Sequence, residues 1–219
     1  MMRFRHLTLA VVATLAIAPS AFAQDAGTDA TTSAGKRFAV VGGYALSEPT
    51  RNPEIAGSRT YFDGDGAATL SASYYVTDNI AIEAWGAADK FGNRVKTPNG
   101  KVASVDTQPY ALSGQYHFGT PANTVRPFVG LGYYEANTDG EKAEPTGALA
   151  GRRIGVETAK GAMATAGVDL NITPTWFARA DVRYMQDTTG QPNVAVDGVN
   201  AGKAELNPVT VGVGVGARF

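Results

Sequence analysis

Ten side chains able to do chemistry fall on alternate positions of strand-like segments: Arg37, Glu83, Gln115, His117, Arg126, Asp169, Arg179, Asp181, Arg183 and Arg218. Charges shielded from water are tolerable only when paired or wetted, so this set predicts an ion-pair network enclosed by the strands that carry it. Five arginines against three carboxylates make that interior basic, and an anion is the ion it should admit. Hydrolysis would need a nucleophile beside a base. His117 is the only histidine after residue 23, and Ser113 on the same side lies four residues off, about 13 Å along a strand. A serine from a neighbouring strand could still approach it, but the pattern fits a satisfied interior histidine better, and no catalytic residue is assigned. Asp63-Gly64-Asp65-Gly66 offers two carboxylates without a distal glutamate, which reads as a turn rather than a calcium loop. Neither a metal nor a cofactor is implied.

The elements that must position these groups are read from period-2 alternation. In Pro208 to Phe219, Val209, Val211, Val213, Val215, Ala217 and Phe219 share one side, opposite Thr210, Gly212, Gly214, Gly216 and Arg218. Three glycines solubilise nothing, so the branched face suits lipid and the small face the inside of a narrow barrel. The G-x-G run also resembles a nucleotide fingerprint, but no helix can follow it. The same alternation marks 36–46, 67–76, 79–88, 107–118, 125–134, 161–170 and 175–185. Eight segments predict an all-β, eight-stranded antiparallel transmembrane barrel. Short turns at 77–79, 119–124 and 171–174 alternate with long connections at 47–66, 89–106, 135–160 and 186–207, which puts all long loops at one end.

Inside such a barrel the bulk comes from Trp85 and from Arg179 to Arg183. Gly43, Gly130, Gly132, Gly212, Gly214 and Gly216 leave space elsewhere. A slim pocket or discontinuous channel follows, lined by Glu83, Trp85, His117, Arg126, Asp169, Arg179, Asp181, Arg183 and Arg218. Pro109 and Pro127 cannot donate to a ladder and mark bulges or local breaks in the wall, where an apolar molecule could leave sideways. Packing that fills the lumen is the competing reading.

Aromatic spacing is an independent test of the membrane reading. Tyr116, Phe118, Trp176 and Phe219 sit near the short turns or the chain end, and Tyr44, Tyr110, Tyr133 and Tyr184 near the long loops. Tyr110 to Phe118 and Trp176 to Tyr184 each span eight residues, which at a tilt near 40° is roughly 20 Å of height, close to an outer-membrane apolar band.

Residues 1–23 read as a signal peptide, with Arg3 and Arg5, an apolar run and an Ala21-Phe22-Ala23 cleavage site. Residues 24–35 read as a flexible periplasmic lead-in, and 36–219 as the barrel. Removing the leader leaves 17 basic against 20 acidic residues, too mild a charge of −3 to suggest a nucleic-acid partner. The sequence has no cysteine, so stability comes from the fold rather than disulfides.

Thr77-Asp78-Asn79-Ile80-Ala81-Ile82-Glu83, Arg126-Pro127-Phe128-Val129-Gly130-Leu131-Gly132, Gly167-Val168-Asp169-Leu170 and the closing Arg218-Phe219 resemble, in that order, the OmpW family of small outer-membrane proteins. The resemblance spans the mature chain. It implies a monomeric barrel in the Gram-negative outer membrane, among lipid and lipopolysaccharide, that gives passage to small hydrophobic or amphiphilic molecules. A terminal Phe219 resembles the signal read by the outer-membrane assembly machinery. Family members tend to place apolar bulk where this chain has Trp85 and Arg183, and Arg183 departs from that pattern. The alternative is a plugged structural or interaction barrel whose long surface loops serve adhesion, receptor or stress-protective roles.

Overall fold

A computed structural model describes residues 36–219 except 53, 56–57, 98–99, 144–149 and 189–191. The expected signal peptide and lead-in lie outside the described residues. In chain order the strands are β1 (Phe38–Glu48), β2 (Glu54–Ile55), β3 (Ser58–Arg59), β4 (Tyr61–Asp63) and β5 (Gly66–Tyr75). Next come β6 (Ile80–Ala87), β7 (Phe91–Thr97), β8 (Gly100–His117), β9 (Val125–Ala143) and β10 (Ile154–Val156). The chain ends with β11 (Ala159–Asn171), β12 (Trp176–Asp187), β13 (Asn193–Val196), β14 (Val199–Lys203) and β15 (Val209–Arg218).

Eight of these close on themselves in the order β8-β6-β5-β1-β15-β12-β11-β9, with β9 returning to β8. Closure leaves no edge, as hydrocarbon requires, because a lipid-facing strand has no water to satisfy its free N–H and C=O groups. The first and last strands meet in the wall. Ala39 pairs with Arg218 and Tyr44 with Val213, and the Phe38 and Phe219 backbones exchange hydrogen bonds of 3.2 and 2.8 Å.

Alternation decides which face is which. Val213 is 63% exposed and Leu131 74%, on the outside of the wall, whereas Arg218, Asp169 and Glu83 are buried within it. The predicted girdle residues Tyr44, Tyr110, Tyr116, Phe118, Tyr133, Trp176, Tyr184 and Phe219 are all on the outer surface. At the short-turn end, Thr77 Oγ1 accepts from the Asn79 and Ile80 N–H groups, and Thr173 Oγ1 does the same for Thr175 and Trp176. These local side-chain bonds hold each turn tight.

The long connections differ from plain loops. Strands β8 and β9 run 18 and 19 residues, far past the girdle; β7 pairs on the outer half of β8 and β4 on β7. A second sheet, β10-β13-β14-β2-β3, is built from the remaining long connections. Outside hydrocarbon the outward strand face can be polar, as at Asp106 and Glu135, so the ladder continues after the apolar outward pattern has ended.

Neither proline is a bulge. Pro127 pairs in register with Val168, and its missing donor falls where β8 ends. Pro109 pairs in register with Ala136 on one side. On its other side β8 pairs with β6 down from Tyr110 and with β7 up from Thr107, so Gln108 and Pro109 stand at a break between two partners.

Val213 pairs with Ala180, midway between Trp176 and Tyr184. Val213→Arg should therefore cost about 2–4 kcal/mol, read as a lowered urea midpoint for the barrel folded in lipid vesicles.

Candidate functional site

Three side chains at successive inward positions of β12, Arg179, Asp181 and Arg183, meet Glu83 from β6, Asp169 from β11 and Arg218 from β15. Arg179 donates to Glu83 Oε2 at 2.5 Å and to both oxygens of Asp169 at 2.7 and 3.0 Å. Arg183 donates to Glu83 Oε1 at 3.0 Å and to Asp181 Oδ1 at 2.8 Å. Arg218 donates to Asp169 Oδ2 at 2.8 Å and to Asn171 Oδ1 at 2.6 Å. The result is one continuous chain of charge-assisted bonds across the lumen, from Asp181 through Arg183, Glu83, Arg179 and Asp169 to Arg218.

Aromatic faces complete the layer. The guanidinium of Arg183 lies 4.6 Å from the Trp85 ring centre, that of Arg179 4.6 Å from Phe128, and that of Arg218 3.8 Å from Phe177. Such stacking satisfies the flat faces that the in-plane hydrogen bonds leave bare. Glycines make room for the rings. A side-chain carbon at Gly216 would sit 2.3 Å from Phe177, and one at Gly167 2.5 Å from Phe128.

Nine predicted lining residues thus lie inside the barrel, and eight of them belong to this layer or pack against it. His117 hydrogen-bonds Gln115 at 3.2 Å and stacks on Phe128; Ser113 Oγ has no partner, and no serine hydroxyl bonds the imidazole among the described residues. Arg126 stands apart at the short-turn end. Arg37 is a correction: it lies at the exposed rim, one residue before β1, and donates to the Tyr75 and Val76 carbonyls, which leaves four arginines in the interior. Asp63 and Asp65 pair with Lys96 and Arg94, as turn carboxylates facing cations.

The free space is broken into separate voids. Beside Gly43, Gly212 and Gly214 lies one of about 20 Å³, walled by Trp85, Arg179, Asp181 and Arg183. A larger cavity of about 80 Å³ sits toward the long-loop end, lined mostly by apolar groups including Val95, Val105, Ile154, Met185, Val194 and Val196. Trp85, Tyr134, Met163 and Met185 pack together beneath it. Pro109, at the break in the wall, is part of its lining. Sequence reasoning missed this cavity because most of its lining comes from the long connections; Phe128 and Phe177 were legible as the inward neighbours of outward positions.

Two hydrogen-bonded polar pairs line the cavity among the described residues: Asn93 with Thr107, at 3.1 Å, and Tyr134 with Asp187. Tyr134 donates its hydroxyl proton to Asp187, beyond the Tyr184 girdle. Burial pushes the Asp187 carboxyl above the usual carboxylate range, against the opposing pull of the Tyr134 bond. The folded protein holds the Asp187 carboxyl proton more tightly than the unfolded chain does, so this group favours the fold at the acid end of the window between its ordinary and raised values. An apolar fluorescent probe should bind the cavity more tightly as pH falls through that window, and Asp187→Asn should flatten the profile.

Glu83 neutralises two buried arginines, so Glu83→Gln should cost about 3–5 kcal/mol in vesicle unfolding. The solvent-screened pair Lys160–Glu135, at 3.2 Å, supplies the contrast: Glu135→Gln should leave the unfolding midpoint almost unchanged.

A family model described as the OmpW family matches residues 41–219. Outer membrane protein W of Salmonella typhimurium is 30% identical over 225 residues, which cover 98% of this chain and 100% of that protein. The crystal structure of the outer membrane protein OprG from Pseudomonas aeruginosa is similar with a TM-score of 0.72 at 19% identity, over 87% of this chain and 99% of that one. The solution structure of Escherichia coli outer membrane protein W gives 0.54 at 24% identity, over 84% and 98%. With a closed eight-strand wall whose apolar face looks outward and a family match across almost all of it, the chain belongs to the OmpW family of outer-membrane β-barrel proteins.

Proposed function

We propose that this barrel takes up small hydrophobic or amphiphilic molecules at its extracellular end and releases them sideways into the outer membrane. The observation that carries the reading is an apolar cavity placed directly on a blocked lumen. Below it the ion-pair layer spans the barrel, and a molecule that prefers hydrocarbon gains nothing by entering a layer of charges. The remaining route is the wall, and Pro109 lines both the cavity and the break where β8 changes partner from β6 to β7. With no N–H at Pro109 and no ladder partner on that side at Gln108, opening the seam breaks few backbone bonds; the Gln108 side chain spans it to the Ala87 carbonyl at 3.1 Å.

Lipid and lipopolysaccharide contact the girdles in this reading, and the strand ending in Phe219 is the element offered to the assembly machinery. The barrel acts as a monomer, and any ion that leaks past the network is preferentially an anion because the interior as a whole, with Arg126 below the network, holds four arginines against three carboxylates. The filled lumen also favours a second reading, a plugged barrel whose outer sheet is an interaction surface.

Uptake of an apolar fluorophore into protein-containing vesicles separates the two. Ala136→Phe, which fills the cavity floor, should lower uptake severalfold while the heat-modifiable folded band on gels persists. Equal flux with and without the protein would sink the transport reading and leave the plugged one. Trp85→Ala should raise single-channel conductance with anions favoured, since it opens the layer below the cavity; Arg183→Ala should also raise conductance but weaken that preference, since it leaves three interior arginines against three carboxylates.

A further inference from the structure

The buried interior holds four arginines, Arg126, Arg179, Arg183 and Arg218, against three carboxylates, Glu83, Asp169 and Asp181. The surplus cation can be located. Arg179, Arg183 and Arg218 each bond at least one carboxylate, whereas Arg126, 1% exposed, makes no ion pair among the described residues. Its one hydrogen-bond partner is the backbone carbonyl of Asp78, and its Nε has none. Asp169 and Asp78 attract it from beyond ion-pair distance, and a buried cation with no counter-charge in contact is disfavoured, so a small group from outside the described chain would be held there.

A void of about 10 Å³ lies beside it at the periplasmic mouth, lined by Lys36, Tyr75, Asp78, Pro121, Arg126 and Arg218. That is on the order of one water-sized sphere. The Tyr75 hydroxyl, on a side chain 3% exposed, has no hydrogen-bond partner, and neither does Arg218 Nε. Lys36 is held in place by bonds to Thr175 Oγ1 and the Arg218 carbonyl. Three cations and an unpartnered hydroxyl donor therefore surround one small space. The exposed Asp78 carboxylate is the single opposing charge on its rim.

We propose that this mouth is a binding site for one small anion: a halide, or one oxygen of a carboxylate or phosphate whose remainder stays in the periplasm. The Arg126 guanidinium supplies the charge and Tyr75 a hydroxyl donor, with Lys36 and Arg218 closing the potential from the other side. The site is independent of apolar passage through the outer cavity.

The test is a titration of the full mature barrel, isotope-labelled and folded in micelles, following the Arg126 Nε–H and Asp78 amide resonances. Sodium bromide, acetate and phosphate are each compared with sodium gluconate at equal ionic strength. Wild type should show a saturable shift; bromide alone saturating identifies a halide site, and acetate or phosphate saturating as well identifies an oxygen acceptor. Arg126→Met should abolish the shift at Asp78. Tyr75→Phe, which removes one hydroxyl and leaves the ring packed, should weaken binding severalfold, and Asp78→Asn, followed at Arg126, should tighten it about two- to tenfold by removing a nearby like charge. No saturable response in wild type, or an unchanged response in Arg126→Met, overturns the proposal.

Discussion

The bond set of Arg179 is the interaction on which the interior depends. From β12, one guanidinium bonds its register partner Asp169 on the neighbouring β11 and reaches across the lumen to Glu83 on β6, so it fastens opposite parts of the wall to each other. Its in-plane donors are spent on carboxylates and its face rests near Phe128 and Phe177. Nothing in a hydrocarbon-bounded cylinder could hold six such charges unless they satisfied one another, and their mutual satisfaction is what fills the middle of the barrel. The division of the interior into an outer apolar compartment and a small basic mouth follows from where that layer sits.

The layer also explains the distribution of small residues. Gly216 and Gly167 are where rings stacked on arginines press against the wall, so these glycines serve packing rather than backbone freedom. Gly212 and Gly214, by contrast, face a void bordered by the charged side chains of β12. Inward glycine thus has two meanings in one barrel, decided by which neighbour faces it.

Much of this was legible in the chain. Alternation within the hydrocarbon zone is enforced by two different solvents, lipid outside and charge inside, so Tyr110 to Phe118 and Trp176 to Tyr184 announced both the strands and their facing. The pairing of Glu83 with two arginines was foreshadowed only as membership of a network, because which carboxylate meets which arginine depends on stagger between strands. Arg37 was misplaced because alternation was extended one residue beyond the sheet, where the chain no longer has an inside. The outer halves of β8 and β9 were hidden for a different reason: beyond the hydrocarbon the outward face meets water, so Asp106 and Glu135 interrupt the apolar outward pattern although the ladder and the buried inward face at Ala103, Val105 and Ala136 continue. The outer cavity, assembled from those halves and from β10 and β13, went unseen with them.

The length of β8 and β9 carries a final implication. Strands of 18 and 19 residues reach roughly 45 Å in height at the usual tilt, well over the thickness of the hydrocarbon slab. Their upper reaches stand beyond the hydrocarbon, in a zone hostile to oily solutes. By enclosing Val95, Val105, Val194 and Val196 at that altitude, the protein maintains a dry compartment beyond the lipid, and under the proposed function an apolar solute meets there a surface resembling its destination before it arrives.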